Sequence, residues 1–271
     1  MPRLWSGGSI VHQYLREVPG YPTSGPHGLR HTAAYWSLGD SCLVLPDSLP
    51  MMASDMVLLS DPAIAAVRVR DAGEPVVDAG LGTALRTDTR EAHHNPLHRY
   101  VRTQLRDRLV RAEASLPVGL HLLLIEGYRP PALQRVQFTD YEATLAARYP
   151  GWDSERVRRE ASRYISPPEV APHCTGGAID LTLCTDAGDE VDMGTELNAS
   201  PMASANRCFT AAADIPAAAA AYRRVLTEAL TAVGLVNYPT EWWHWSYGDR
   251  YWAHETGSDA RYAPLTIDQV G

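Results

Sequence analysis

The apolar positions along this chain change rhythm at about residue 56. Before it, Gly, Pro, Ser and Tyr recur without a sustained period, which predicts an irregular N-terminal extension over residues 1–55. After it, the main body, 56–271, is patterned. Met56–Leu59 and Ile64–Val69 are short apolar runs that predict strands, and Asp71-Ala72-Gly73-Glu74-Pro75 reads as a turn. Leu97, Val101, Leu105 and Leu109 recur every four residues, so 96–115 is expected to be an amphipathic helix, ended by Pro117. His121–Ile125 is a compact apolar run and predicts a central strand. Pro130 and Pro131 suit the first turn of a helix that runs to about Arg148, and a third helix is expected over 153–164. Prolines and glycines make 166–177 a loop, Ala178–Leu183 a strand, and 184–216 mostly loop. Ala217–Val233 reads as a helix stopped by Gly234, and the aromatic-rich 241–252 as strand or turn. Helices and strands mixed without regular βαβ alternation predict an α+β fold.

Composition narrows the classes. Apolar residues make up 45% of the 271, enough for a sizeable core. A formal net charge of -8 argues against a nucleic-acid partner, whose phosphates call for a basic surface. No run of about 18 apolar residues exists, so no membrane-spanning helix is expected. The first residues lack a continuous apolar signal region, and the expectation is a cytoplasmic protein. Cys42, Cys174, Cys184 and Cys208 form no C-x-x-C pair and read as ordinary reduced thiols.

Three groups of residues carry chemistry. In His173-Cys174-Thr175-Gly176-Gly177-Ala178-Ile179-Asp180, both His173 and Asp180 suit zinc, and the glycines allow the loop to fold His173 back toward the strand that bears Asp180. On that strand Ala178, Asp180 and Thr182 share one face, and Ile179, Leu181 and Leu183 the other. A carboxylate so flanked needs a partner, either a metal or backbone amides or an arginine. In Glu241-Trp242-Trp243-His244, the histidine completes a three-ligand set and the glutamate is placed to serve as general base. Residues three apart on a strict strand face opposite sides, so this pair requires a local turn, bulge or helical geometry. Arg129, at a strand's end and fixed by two prolines, suits stabilisation of an oxyanion, or else a surface salt bridge. A His93-His94-x3-His98 cluster also has metal-like spacing, but Asn95-Pro96 is expected to begin a helix there rather than continue one.

Taken in order, Gly127-Tyr128-Arg129-Pro130, His173-x6-Asp180-Leu181-Thr182-Leu183, Asp192-Met193-Gly194-Thr195 and Glu241-Trp242-Trp243-His244 resemble the VanX-type zinc D-Ala-D-Ala dipeptidases, over about residues 56–255. The resemblance implies one zinc ion per chain on His173, Asp180 and His244, Glu241 as base and Arg129 as transition-state stabiliser. It implies a central antiparallel sheet flanked by helices, with the zinc site in a small cavity that admits a dipeptide. In that family a serine and an aspartate hold the substrate's ammonium group. The matching positions here are Ala171 and Asn198, which with Tyr128 are the expected substrate-binding residues. Asn198 brings no charge, so a different dipeptide or an N-blocked amide stands beside D-Ala-D-Ala as a substrate, as for a zinc amidase or peptidase of specialised metabolism. A zinc-binding protein without catalysis is the reading from another class, and the presence of both Glu241 and Arg129 speaks for the enzyme.

Overall fold

The computed structural model describes residues 56–270, so the extension expected over 1–55 lies outside the described residues. The first two strands expected from apolar runs do not form. Leu58 and Leu59 are buried side chains on irregular backbone, and Ile64 lies in a short helix, α1 (Pro62–Ala66). Asp61 decides this: its carboxylate accepts the Ala63 N–H at 2.9 Å, and Pro62 supplies the helical φ. The three apolar side chains pack with Val170, Tyr238 and Tyr251.

Strand β1 (Val76–Asp78) and the short β2 (Arg86–Thr87) follow, then β3 (Tyr100–Arg102), which pairs antiparallel with β1 as a two-stranded sheet. Helix α2 (Thr103–Glu113) therefore starts seven residues later than the expected 96 (103 − 96). The four-residue spacing was real but crossed an element boundary. Val101 is buried on β3 and Leu105 and Leu109 on α2, while Leu97 packs against a separate cluster of Tyr128, Leu265 and Val270.

The expected central strand is β4 (Leu120–Glu126), the proline-led helix is α3 (Pro131–Arg148), and the third is α4 (Ser154–Ala161), capped by Asp153. Phe138, Tyr141 and Leu145 of α3 pack on Val157 and Ala161 of α4. Strand β5 (Ala178–Thr185) is buried on both faces through Cys184. Helix α5 (Ala217–Ala232) packs on α2 and β5. The chain closes with β6 (Val236–Asn237), β7 (His244–Ser246) and a helix not expected from the sequence, α6 (Arg250–Thr256).

The main sheet has the order β2-β4-β5-β7-β6. It is antiparallel except at its β2 edge, where β2 runs parallel to β4. This is the α+β architecture expected. No helix among the described residues is long and apolar enough to cross a membrane.

Candidate active site

Three neighbouring strands place one residue each in a row. Asp180 of β5 is paired in register with His244 of β7 on one side and with Glu126 of β4 on the other. The second pairing depends on a bulge: Leu124 faces Leu181, and the register then shifts so that Glu126 faces Asp180. Bulges turn a side chain toward a site in this way. Directly opposed residues of antiparallel strands share a face, so the three side chains stand together.

His173 reaches the row from outside the sheet. It lies in a single 3-10 turn, Pro172–Thr175, which Gly176 ends with a left-handed φ of 69°. Its Nδ1 donates to the Gly127 carbonyl at 2.6 Å, which fixes the tautomer and turns Nε2 inward. Gly127 is itself required, because a Cβ there would lie 2.5 Å from the Tyr100 carbonyl oxygen. The inward Nε2 is 3.3 Å from Asp180 Oδ1 and 3.1 Å from His244 Nδ1, and His244 Nδ1 is 2.9 Å from the same carboxylate oxygen. All three residues are buried.

The expected local twist at Glu241 is a turn. His244 N–H donates to the Glu241 carbonyl at 3.2 Å, which carries Glu241 Oε2 to 3.9 Å from His244 Nδ1. Asn237 braces the turn by donating to the carbonyls of Glu241 and His244, each at 3.0 Å. Trp242 and Trp243 are core residues, and the Trp242 indole ties the turn to Thr195 at 2.8 Å. In the same loop Asp192 accepts the Gly194 N–H at 2.7 Å.

Arg129 follows β4 and is only 14% exposed. Its Nε donates to Glu126 Oε1 at 3.0 Å, its Nη2 donates to Glu126 Oε2, and its Nη1 donates to Gln134 Oε1 at 3.0 Å. Asn95 donates to Glu126 Oε1 at 2.9 Å. Glu126, Gln134 and Asn95 were not singled out from the sequence. The available signal was a carboxylate three residues before an arginine at a strand's end.

The charges are strongly interdependent. Burial alone would raise the Asp180 carboxyl, but the two histidines outweigh it and hold the group far below the usual carboxylate range. Burial lowers His173, yet Asp180 more than compensates and the net shift is upward. For His244 burial prevails and its pKa falls. Burial, reinforced by the Asp180 charge and partly opposed by Arg129, pushes Glu241 well above its ordinary value.

Tyr128, Ala171 and Asn198 are the residues expected at the substrate. Tyr128 is fully buried and its hydroxyl donates to the Leu265 carbonyl at 3.0 Å, toward the C-terminal segment. Ala171 is 1% exposed, just before the turn that carries His173. Asn198 is half-buried with a left-handed φ of 62°, and its carbonyl accepts the Tyr164 hydroxyl at 2.7 Å. His98, from the rival histidine cluster, is buried with its ring nitrogens 2.9 Å and 3.0 Å from the carbonyls of Asn95 and Asp88. Residues 93–98 form turns rather than the start of a helix. Cys174, Cys184 and Cys208 are buried free thiols, and Cys42 lies outside the described residues.

Among the described residues, one group of histidine, cysteine and carboxylate side chains converges as metal ligands would: His173, Asp180 and His244, with ligand atoms all within 4.8 Å. Two imidazole nitrogens and one carboxylate oxygen are a donor set that fits zinc and leaves a fourth position open. Such a donor set with a carboxylate beside it is the kind that metal-dependent hydrolases use. The chain belongs to the M15 peptidases: residues 87–262 match the D-Ala-D-Ala dipeptidase family. It is 27% identical over 217 residues to a D-alanyl-D-alanine dipeptidase of Synechocystis sp., covering 69% of this chain and 87% of that protein. It is 31% identical over 140 residues to a D-alanyl-D-alanine dipeptidase of Streptomyces coelicolor, covering 49% of this chain and 65% of the other. Among solved structures it is similar to VanYB in complex with D-alanine-D-alanine, at 16% identity and a TM-score of 0.36, covering 74% of this chain and 96% of that one.

Proposed function

We propose that this protein is a zinc-dependent D-alanyl-D-alanine dipeptidase, with residues 56–271 as its catalytic domain and His173, Asp180 and His244 as the ligands of one zinc ion. The observation that carries the reading is the convergence of His173 Nε2, Asp180 Oδ1 and His244 Nδ1, with Glu241 beside them. Zinc bound there supplies Lewis-acid polarisation of a carbonyl and lowers the pKa of water. Glu241 takes the proton of the attacking water and delivers it to the leaving amine. Arg129 directs N–H groups at the oxygen on which negative charge develops. His173, Asp180, Glu241 and His244 are all buried, and away from bulk water each of these interactions is stronger.

A second reading is favoured by Ala171 and Asn198. Neither offers the negative charge that would hold a substrate ammonium, so an N-blocked amide or a different dipeptide fits those positions too. One experiment separates the two. Zinc content is measured on the purified protein, and amine release is followed with D-Ala-D-Ala, its L-isomers and their N-acetyl forms. One equivalent of zinc and release from free D-Ala-D-Ala, abolished by a chelator, is the expected result. Preference for the N-acetyl forms would establish the second reading, and no turnover of any member by zinc-loaded protein would overturn both.

A further inference from the structure

Glu126 has no task in the reaction just described, yet it stands in the same cross-strand row as Asp180 and His244. It is 3% exposed. Burying a carboxylate is costly unless its charge is matched, and the end of a strand does not need one. The match is Arg129, held by both carboxylate oxygens, with Asn95 donating to Oε1 from a third direction at 2.9 Å. Both oxygens receive guanidinium N–H groups and Oε1 a third N–H from Asn95, the donor-only surroundings that suit an ionised carboxylate. Gln134 grips the guanidinium from the α3 side at 3.0 Å and is itself anchored on the Ser166 carbonyl at 2.8 Å. The guanidinium plane is thus set by two fixed side chains from two elements.

The pairing also removes net charge. Dipeptide hydrolysis starts from a molecule with a carboxylate and releases another. A buried arginine without its counter-charge would bind those carboxylates in ground state and product alike, and such uniform binding does not raise kcat. A guanidinium neutralised by Glu126 still aims N–H dipoles, and these gain most when an oxygen acquires charge.

We propose that Glu126 and Gln134 are positioning residues for Arg129, and that Glu126 also balances its charge so that the arginine favours the developing oxyanion over the carboxylates of substrate and product. This rests on the role given above to Arg129.

The test compares Glu126→Gln, Glu126→Asp, Gln134→Ala and Arg129→Ala in the zinc-loaded enzyme, with zinc content and melting temperature recorded for each. Glu126→Gln is expected to lower kcat by about 10²-fold, the size of effect seen when an oxyanion donor is lost, while KM stays level or falls. Inhibition by D-alanine and by acetate should tighten about tenfold, because a charge-assisted contact becomes available to a carboxylate. Acetate should raise the melting temperature of Glu126→Gln, with and without zinc, more than that of the unchanged protein. Glu126→Asp should recover part of kcat and all of the resistance to acetate. Gln134→Ala keeps the charge balance, so it should lose about tenfold in kcat with no gain in acetate binding. Should Glu126→Gln fail to fold, Glu126→Asp and Gln134→Ala still separate charge from position. Unchanged kcat in Glu126→Gln, or a loss of kcat with no gain in carboxylate binding, overturns the charge-balancing role. Unchanged kcat in Arg129→Ala instead overturns the role of Arg129 on which it stands.

Discussion

Glu241 and His244 lie three residues apart and about one hydrogen-bonded turn is all that brings them together, yet their tasks are separable. Glu241→Ala should keep zinc, because the three donors remain, and lose about 10²–10⁴-fold in kcat, because the attacking water loses its base. His244→Ala should lose the zinc itself, with elemental analysis as the check. At this scale the sequence was legible where a residue's type and its local backbone agree. His173 and Asp180 could be read from a glycine-bearing loop feeding a strand. His244 and Glu241 needed resemblance, since the 241–244 turn leaves no mark that distinguishes it from a strand. Glu126 was not legible, because a bulge between Leu124 and Glu126 decides which way it faces, and alternation along β4 cannot reveal a bulge.

Between elements, His121 offers a clean test away from the site. Its Nε2 meets Asp186 at 2.8 Å and its Nδ1 meets Glu113 at 2.7 Å, joining the ends of α2, β4 and β5. The hydrogen bond to Asp186, then that to Glu113, raises the imidazole pKa, with burial and Arg86 opposing in part. A pKa raised on folding stabilises the protein while the group is charged. That contribution is complete below the unfolded value of about 6.5 and is lost as pH climbs through the higher folded value. Urea midpoints from about pH 6 to about pH 9 should therefore fall for the unchanged protein relative to His121→Asn, most of the difference vanishing at the alkaline end. Flat, parallel profiles would remove the clamp. Of the elements it joins, β4 and β5 were also among the easiest to read. β4 is a nearly continuous apolar run, β5 sets Ile179, Leu181 and Leu183 on one face, and α3 is opened by two prolines. The start of α2 was misread because Val101 continues the helix's spacing while belonging to β3. Helix α6 was missed although its signals were present: Asp249 accepts the N–H groups of Tyr251 and Trp252, and Gly257 closes it in the left-handed region.

For the molecule as a whole, the site is an electrostatic load. Asp180, Glu241 and Glu126 are all buried within one small region, with Arg129 as the permanent counter-charge beside them. A cation that binds only the folded state relieves this by mass action, by about 2.7 kcal/mol at a hundredfold excess over Kd. Chelation should then lower the melting temperature by about 5–10 °C for a domain of this size, and added zinc should restore it. An unchanged melting temperature would mean that these residues hold no zinc in the folded protein. The row across β4, β5 and β7 has one more consequence. Each strand contributes one member, and a slip of a single residue would turn that member to the other side of the sheet. Two of the proposed ligands, Asp180 and His244, come from that row, so the ligand set doubles as a checksum on the pairing of β5 with β7: a chain that pairs them wrongly has no complete set to offer. A change that alters the pairing of β5 with β7 parts Asp180 from His244 and erases the chemistry before it erases the fold.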